Sequence, residues 1–301
     1  MLFSQYNNLN KHQNELDFVD INLNRNNKLF IDPRLIGLQE EFLNYSIKIS
    51  IFWKKIIGLI KNNNLRDLTK MFSGFKEPKE TKLGYGSDSY GNSIANILKS
   101  KLIKSFIENK AIKTGILNDF SDINFFVKDI SSDRISDITT KLIKDDLISF
   151  TQNQCFIHNI PMFMSFQDDI FDEKTLKWVK KEVLLPHYNG KPIILVPKRI
   201  VNSERNTNGN LGCFYRFAIK NFVINDNEVK SNIKGSGKNG KILLKDIKED
   251  NPFHKSLLIE WNLKYPKLLV DFKSYVINEN LRVMTDSELT DLIEFSNKKI
   301  A

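Results

Sequence analysis

The spacing of apolar residues changes near residue 160, and this change constrains the fold more than any other feature of the chain. Before it, Phe42, Leu43, Ile47, Phe52, Ile56 and Ile60 recur at helical spacing and predict a long helix over about residues 39–62. "NNNLRDLTKMFSGF" predicts a short helix ending near Gly74. Further helices are expected over about 93–109, in "SDINFFVKDI", and from Ile130 to about His158. After the change, "PMFMSFQ", "WVKKEVLLP" and "KPIILVPKRIV" read as strands, the first two joined by the acidic turn "DDIFDEK". From Lys241 onward the pattern is helical again and splits at Pro266. Near the start, "FVDINLNRNNKLFIDPRLI" places two short apolar runs around a polar turn, which predicts a hairpin or an extended arm ended by Pro33. The expected class is α+β (mixed α/β), with a helical N-terminal part, a small central mixed sheet and a helical C-terminal part. The expected division is a mainly helical lobe over 1–160 carrying the hairpin or arm, and a sheet plus C-terminal helices over 161–301, possible also as one continuous domain.

Hydrophobic residues make up 41% of the 301, with 22 Phe, which supplies a core and excludes general disorder. No run of about 18 uncharged apolar residues occurs, so no membrane span is expected. The longest apolar stretch is broken by Lys48, Lys54 and Lys55. The first residues lack the basic and apolar regions of a signal peptide. Two cysteines in a chain of this size predict a reducing, cytoplasmic compartment. The net charge of +9 is concentrated: from Lys191 to Lys248 there are 12 Lys and Arg against 4 Asp and Glu. Such a surplus suits a polyphosphate partner, because neutralised phosphates release counterions; it also suits a merely solvated face.

The stretch "ISSDRISDITTKLIKDD" sets Asp133, Asp137 and Lys141 four residues apart at the expected start of a helix. One reading is structural. Asp133 caps the helix, Asp137 sits in the first turn where the dipole favours an anion, and Asp137 pairs with Lys141. The other reading makes Asp133 and Asp137 oxygen ligands of Mg²⁺, with Arg134 facing phosphate. In "KPIILVPKRIV", Lys198 and Arg199 follow a buried run, where an acid-acid-lysine nuclease places the lysine that steadies the scissile phosphate. The usual acid two residues before that lysine is replaced by Val196.

Three glycine or cysteine patterns complete the inventory. "LGYGSDSYGNSIA" precedes a helix, and its Tyr85 and Tyr90 are candidate stacking groups for nucleic acid. Its glycines do not fit the dinucleotide fingerprint, so no nicotinamide or flavin is expected. "GSGKNGKI" (Gly235–Ile242) nearly matches a phosphate-binding P-loop, but Ile242 stands in place of the Ser or Thr and no apolar strand leads into it. A basic loop presenting Lys234, Lys238 and Lys241 to a nucleic-acid backbone is the better expectation. Cys155 and His158 lie three apart, but His187 and Cys213 are isolated, so no zinc is expected.

"LFIDPRLI", "LGYGSDSYGNSIA", "DRISDITTKLI" followed by "FTQ", and "PIILVPKRIV" together resemble an uncharacterised group of bacterial proteins associated with mobile elements and phage defence, over roughly residues 20–270. The resemblance implies a nucleic-acid-directed role in antiviral defence and carries over no catalytic residue. The sequence expectation is a Mg²⁺-dependent nuclease, or a subunit of one, with Asp133, Asp137 and Lys198 at its centre and Arg134, Arg199, Lys234, Lys238, Lys241, Tyr85 and Tyr90 along the nucleic acid. The alternative is a non-catalytic sensor or adaptor that binds nucleic acid or a protein partner in a defence complex. A nucleotide-handling enzyme using the Gly84–Gly91 loop is a third reading.

Overall fold

The computed structural model describes residues 1–85, 92–128, 130–203, 210–279 and 281–295. The first thirty residues are woven into the core and form neither a hairpin nor a free arm. A one-turn helix, α1 (Phe3–Tyr6), and the following loop bury Phe3, Leu16, Phe18, Val19, Ile21 and Leu23. The backbone of Phe18 and Val19 is already engaged, because Val19 N donates to Val196 O at 3.0 Å and Phe18 bridges Pro197. The expected hairpin is thereby denied its second strand. The later run instead forms β1 (Phe30–Ile31), which pairs antiparallel with β6 (Val201–Asn202).

Asp32 caps the short α2 (Pro33–Gly37), with Pro33 at the first helical position, where its missing N–H costs nothing. The helical period of the sequence becomes α3 (Leu43–Lys61), which buries Ile49, Phe52, Trp53, Ile56 and Ile60. Then follow α4 (Leu65–Met71), capped by Asn64, α5 (Asn92–Ile107), α6 (Lys110–Lys113) and α7 (Ile123–Phe126). The single helix expected from Ile130 to His158 is two, α8 (Ser132–Leu142) and α9 (Lys144–Ile157), broken at Ile143. Thr139 and Thr140 donate their hydroxyls to the carbonyls of Ile135 and Ser136 just before the break, and such back-bonding bends helices.

The small central sheet resolves into two-stranded antiparallel ladders. The largest joins β2 (Phe163–Asp172) to β3 (Lys177–Leu185), with a register shift between Gln167 and Ile170. The acids Asp168, Asp169 and Asp172 of the expected turn lie within β2, and the turn itself falls at 173–176. A second ladder joins β4 (His187–Tyr188) to β5 (Lys191–Pro192). The expected strand through "IILV" is absent. Residues Ile193 to Val196 are fully buried, but their amides go to separate places: Ile193 N to Pro186 O, Ile194 N to Glu80 O, and Leu195 N to Thr151 Oγ1 at 2.9 Å. A continuous apolar run reports burial and does not by itself report pairing.

The C-terminal part consists of α10 (Leu211–Asn221), α11 (Asn227–Asn232), α12 (Leu244–Asp250), α13 (Lys255–Lys264), α14 (Leu268–Glu279) and α15 (Asp286–Phe295), with the expected break at Pro266. α10 and α14 meet through Phe214 and Phe272, stacked at 4.5 Å. Helices at both ends and small ladders between them make the fold α+β, as the apolar spacing predicts. Buried apolar side chains from Phe3 to Ile293 form one cluster. Among the described residues, no helix is long and apolar enough to cross a membrane.

Candidate functional site

The cap of α8 is Ser131, whose Oγ accepts from Arg134 N at 3.3 Å, so the capping role expected of Asp133 belongs two residues earlier. Asp133, Asp137 and Lys141 still share one helical face by their spacing. The segment 76–85 and the irregularity in β2 supply the charged groups opposite that face.

At its N-terminal end, Asp133 Oδ1 accepts from Tyr85 N at 3.3 Å. Gly84 makes this approach possible. Its φ is +96°, its N–H donates to Asn27 O and Leu29 O, and an added Cβ would lie 2.7 Å from Asp133 Oδ1. Two motifs separated in sequence therefore meet: the glycine-containing loop and the acidic helix. The Tyr85 ring is exposed and leans on Phe30 at 5.4 Å. Tyr90, with Gly86 and Gly91, lies outside the described residues.

The middle of the face holds the group with the least structural employment. Asp137 is half-buried and has no hydrogen-bond or ion-pair partner among the described residues. Burial, then the nearby charges of Asp133 and Glu77, push its carboxyl up to about 7 against the pull of Arg134 and Lys141. One turn on, Lys141 is buried and likewise has no hydrogen-bond or ion-pair partner among the described residues. Burial pushes its ammonium below the ordinary lysine range, with Glu80 opposing. The Asp137–Lys141 ion pair expected from the spacing does not form. The Arg134 guanidinium is also without a hydrogen-bond or ion-pair partner among the described residues.

The C-terminal end of the row is fully committed. Lys144, 1% exposed, donates to Glu80 Oε1 at 2.8 Å and to Asp168 O at 3.2 Å. Burial would raise the Glu80 carboxyl, but Lys144 and Lys141 hold it below its ordinary value. Lys76 pairs with Asp169 at 2.8 Å and Asp168 at 3.3 Å. Asp169 takes a φ of +52° at the register shift of β2, which turns its carboxylate to Lys76. The site is thus an uncommitted acid next to a lysine of lowered basicity, held in place by a buried ionic lattice. A carboxyl that titrates near neutrality can take or give a proton under ordinary conditions.

Lys198 is elsewhere. It stands in a 3₁₀ turn (Lys198–Ile200), pairs with Asp286 of α15 at 2.8 Å, and donates to Gln13 O. Among the described residues it makes no hydrogen bond or ion pair with Asp133 or Asp137, and the lysine on their helical face is Lys141. Arg199 pairs with Glu41 at 2.7 Å. Lys234, Lys238 and Lys241 are exposed, as expected of a basic loop. That loop is closed on itself. Ser236 N and Leu243 N donate to Asp246 Oδ2, Gly237 N donates to Lys241 O, and a Cβ on Gly235 would sit 2.2 Å from Gly240 O. Those amides are spent internally, and only the lysine side chains face outward.

Cys155 is buried, and desolvation pushes its thiol up to about 12. His158 lies against Phe18, His187 lies against Phe163, and Cys213 Sγ accepts from Arg216. Among the described residues, no group of three or more His, Cys, Asp and Glu is placed to hold a metal. A cation at Asp133 and Asp137 would therefore take two protein carboxylates at most, with water and substrate oxygens completing its sphere, as Mg²⁺ commonly does.

Sequence reasoning missed Glu77, Glu80, Lys141 in the lysine role, and Lys144. Lys141 was visible as a continuation of the four-residue spacing, and Lys144 stands three residues beyond it. The glutamates come from a loop whose approach no local pattern encodes. No curated protein and no solved structure matches the chain. Residues 8–208, which contain α8, the 76–85 segment and β2–β3, match a domain of unknown function, DUF8370; the chain belongs to that family.

Proposed function

We propose that the protein is a nucleic-acid-directed phosphodiester hydrolase of bacterial antiviral defence, with its centre on the Asp133–Asp137–Lys141 face. One observation carries this reading: among the described residues Asp137 is an acid with no hydrogen-bond or ion-pair partner, raised to about 7, beside a second acid and a lysine that likewise has none. Among the described residues, the buried acids Asp20, Asp32, Asp122 and Asp246 all accept hydrogen bonds, and the half-buried Asp137 accepts none.

Asp133 and Asp137 would hold Mg²⁺. The crowding of Asp133 and Glu77 on Asp137 is the kind of negative charge a divalent ion relieves. When bound, the ion supplies charge neutralisation and a water of lowered pKa. The chain's own groups do the rest. Asp137 accepts the proton of the attacking water near neutral pH. Arg134 takes a phosphate oxygen, and the exposed Tyr85 ring stacks on a base. Lys141, behind Asp137, adjusts the acid's basicity as a positioning residue. Lys234, Lys238 and Lys241 supply the sequence-independent attraction to the backbone.

The test is cleavage of single- and double-stranded DNA and RNA, with Mg²⁺ or Mn²⁺ and with chelator, by wild type and by Asp137→Asn and Asp133→Asn. Cleavage that both Asn variants lose while their melting temperatures do not fall supports the reading. Full cleavage by both variants overturns it.

The adaptor reading has its own support. The outer face of the β2–β3 hairpin exposes Met164, Phe166 and Leu184, at 64%, 61% and 43%, with Phe156 at 81% on the adjoining end of α9. Exposed apolar groups gathered on one face suit a protein partner. If wild type cleaves nothing but Phe166→Ser weakens a measured protein association, the adaptor reading takes precedence.

A further inference from the structure

The β2–β3 ladder leaves one edge open. β3 is attended by α9, whose Gln152 donates to Leu184 O at 3.1 Å. β2 has no such cover over its first half. In an antiparallel pair every second residue turns its N–H and C=O away from the partner strand. Among the described residues, no hydrogen bond from outside the ladder reaches the backbone of Phe163 to Gln167. The open window has fixed ends. Pro161 precedes it, and beyond Gln167 the register shift, the φ of +52° at Asp169 and the bond from Lys144 to Asp168 O close the edge.

The window lacks the devices that keep strand edges apart. Its sequence, "FMSFQ", carries no Lys, no Pro and no charge, in a chain where 27% of residues are charged. Two copies of it meet without like-charge repulsion. Apolar side chains stand on both its faces: Met164 and Phe166 on one, Phe163 on the other, all more than half exposed. A partner laid on one face covers only one set, whereas a strand added at the edge extends both. Antiparallel pairing centred on Ser165 puts Met164 of one copy opposite Phe166 of the second and the small Ser165 opposite itself, the self-complementarity that a two-fold axis demands. With Phe156 and Ile157 at the end of α9, five exposed apolar side chains offer roughly 500–600 Å² per copy, at about 150–200 Å² for each side chain, which is most of the roughly 800 Å² per partner in a stable interface. The joined sheet has four strands, where a lone two-stranded ladder is marginal.

We propose that the chain forms a two-fold dimer by antiparallel β2–β2 pairing over Phe163–Gln167, giving a four-stranded sheet in the order β3–β2–β2–β3. The inference rests on neither functional reading. The test is the mass of the full chain by sedimentation at about 1–100 µM, a range that brackets micromolar dissociation constants, in salt high enough to strip nucleic acid from the basic segment. Wild type should approach twice 35.0 kDa at the top of that range. Phe166→Lys places a charge on the open edge, and Met164→Lys does so on the same face two residues earlier. Each should raise the dimer Kd about thirtyfold or more, as loss of a central interface residue does. Both side chains are exposed, so circular dichroism should show both variants folded. Leu184→Lys alters the same face of the ladder but lies on β3, away from the open edge, and should leave the dimer in place. A wild type that stays monomeric throughout overturns the proposal, including where the same surface captures a different protein. So does a dimer that survives both β2 variants. So does a dimer that Leu184→Lys dissociates as fully as Phe166→Lys, because that result means packing of faces and not of edges.

Discussion

Asp137 and Asp246 each occupy an early turn of a helix, and their surroundings treat them in opposite ways. Asp246 accepts hydrogen bonds from the hydroxyl and N–H of Ser236 and from Leu243 N, and these bonds hold its carboxyl below the ordinary value. Asp137 accepts none among the described residues and is pushed up to about 7 by burial and by Asp133 and Glu77. The first acid is spent on closing the 234–246 loop. The second retains its proton affinity for something else. Charge density points to the basic segment, whereas unspent charge points to α8, and for chemistry the second criterion is the stronger.

The largest effect that can break this contrast is Asp137→Asn. Loss of a proton acceptor should reduce hydrolysis about a hundredfold or more. The same variant carries a stability signature of known sign. The folded pKa of Asp137, about 7, lies above the ordinary value of 3.8, so the fold favours the protonated form. That stability is fully present below about pH 4 and is lost as pH rises through 7. Asn cannot ionise, so the metal-free variant should melt higher than wild type at pH 8, by the equivalent of about 2–4 kcal/mol, and the gap should shrink by about half at pH 5 and close below about pH 4. A variant that melts lower than wild type across the whole range would show that Asp137 is structural.

Breaking the lattice beneath the site comes next. Lys144→Met leaves the half-buried Glu80 without its ion-pair partner and should cost about 3 kcal/mol in chemical denaturation. Replacing Glu80 and Lys144 together by Gln and Met should cost much less, because no charge is stranded. Gly84→Ala follows at about 1–3 kcal/mol, from a φ of +96° and a collision with Asp133. Because that collision moves Asp133, cleavage should fall along with stability. Cleavage unchanged in Gly84→Ala would detach the loop from the site.

The sequence made some of this legible and not the rest, for identifiable reasons. α3 was readable because one period runs through nineteen residues, and β2 and β3 because their runs are short and bounded. The row on α8 was readable because helical geometry converts spacing into adjacency. What failed was long-range: Phe18–Val19 pairing with 196–197, Ile193–Val196 buried without a strand partner, and Glu77 and Glu80 arriving from a loop. The setting of Lys198 was not legible for the same reason. Lys198 looked like the end of a strand, and no strand is there to aim it at the acids.

The smallest effect is the one that decides between the two lysines. Lys198 is 18% exposed and its partner Asp286 is 37% exposed, so the pair sits at the surface, where such pairs contribute about 0–1 kcal/mol. Lys198→Met should therefore shift stability by no more than that and leave hydrolysis unchanged. Lys141→Met should behave otherwise. A buried ammonium already pushed below its ordinary value, with no ion-pair partner among the described residues, resists folding, so its removal should be neutral or slightly stabilising. Yet Asp137 would lose a neighbouring cation, its pKa would climb further, and the acid limb of the pH–rate profile should move to higher pH. A merely structural lysine would change the melt and leave that limb in place. The opposite result, activity lost in Lys198→Met and an unshifted profile in Lys141→Met, would return the catalytic lysine to the basic segment and remove α8 from the chemistry.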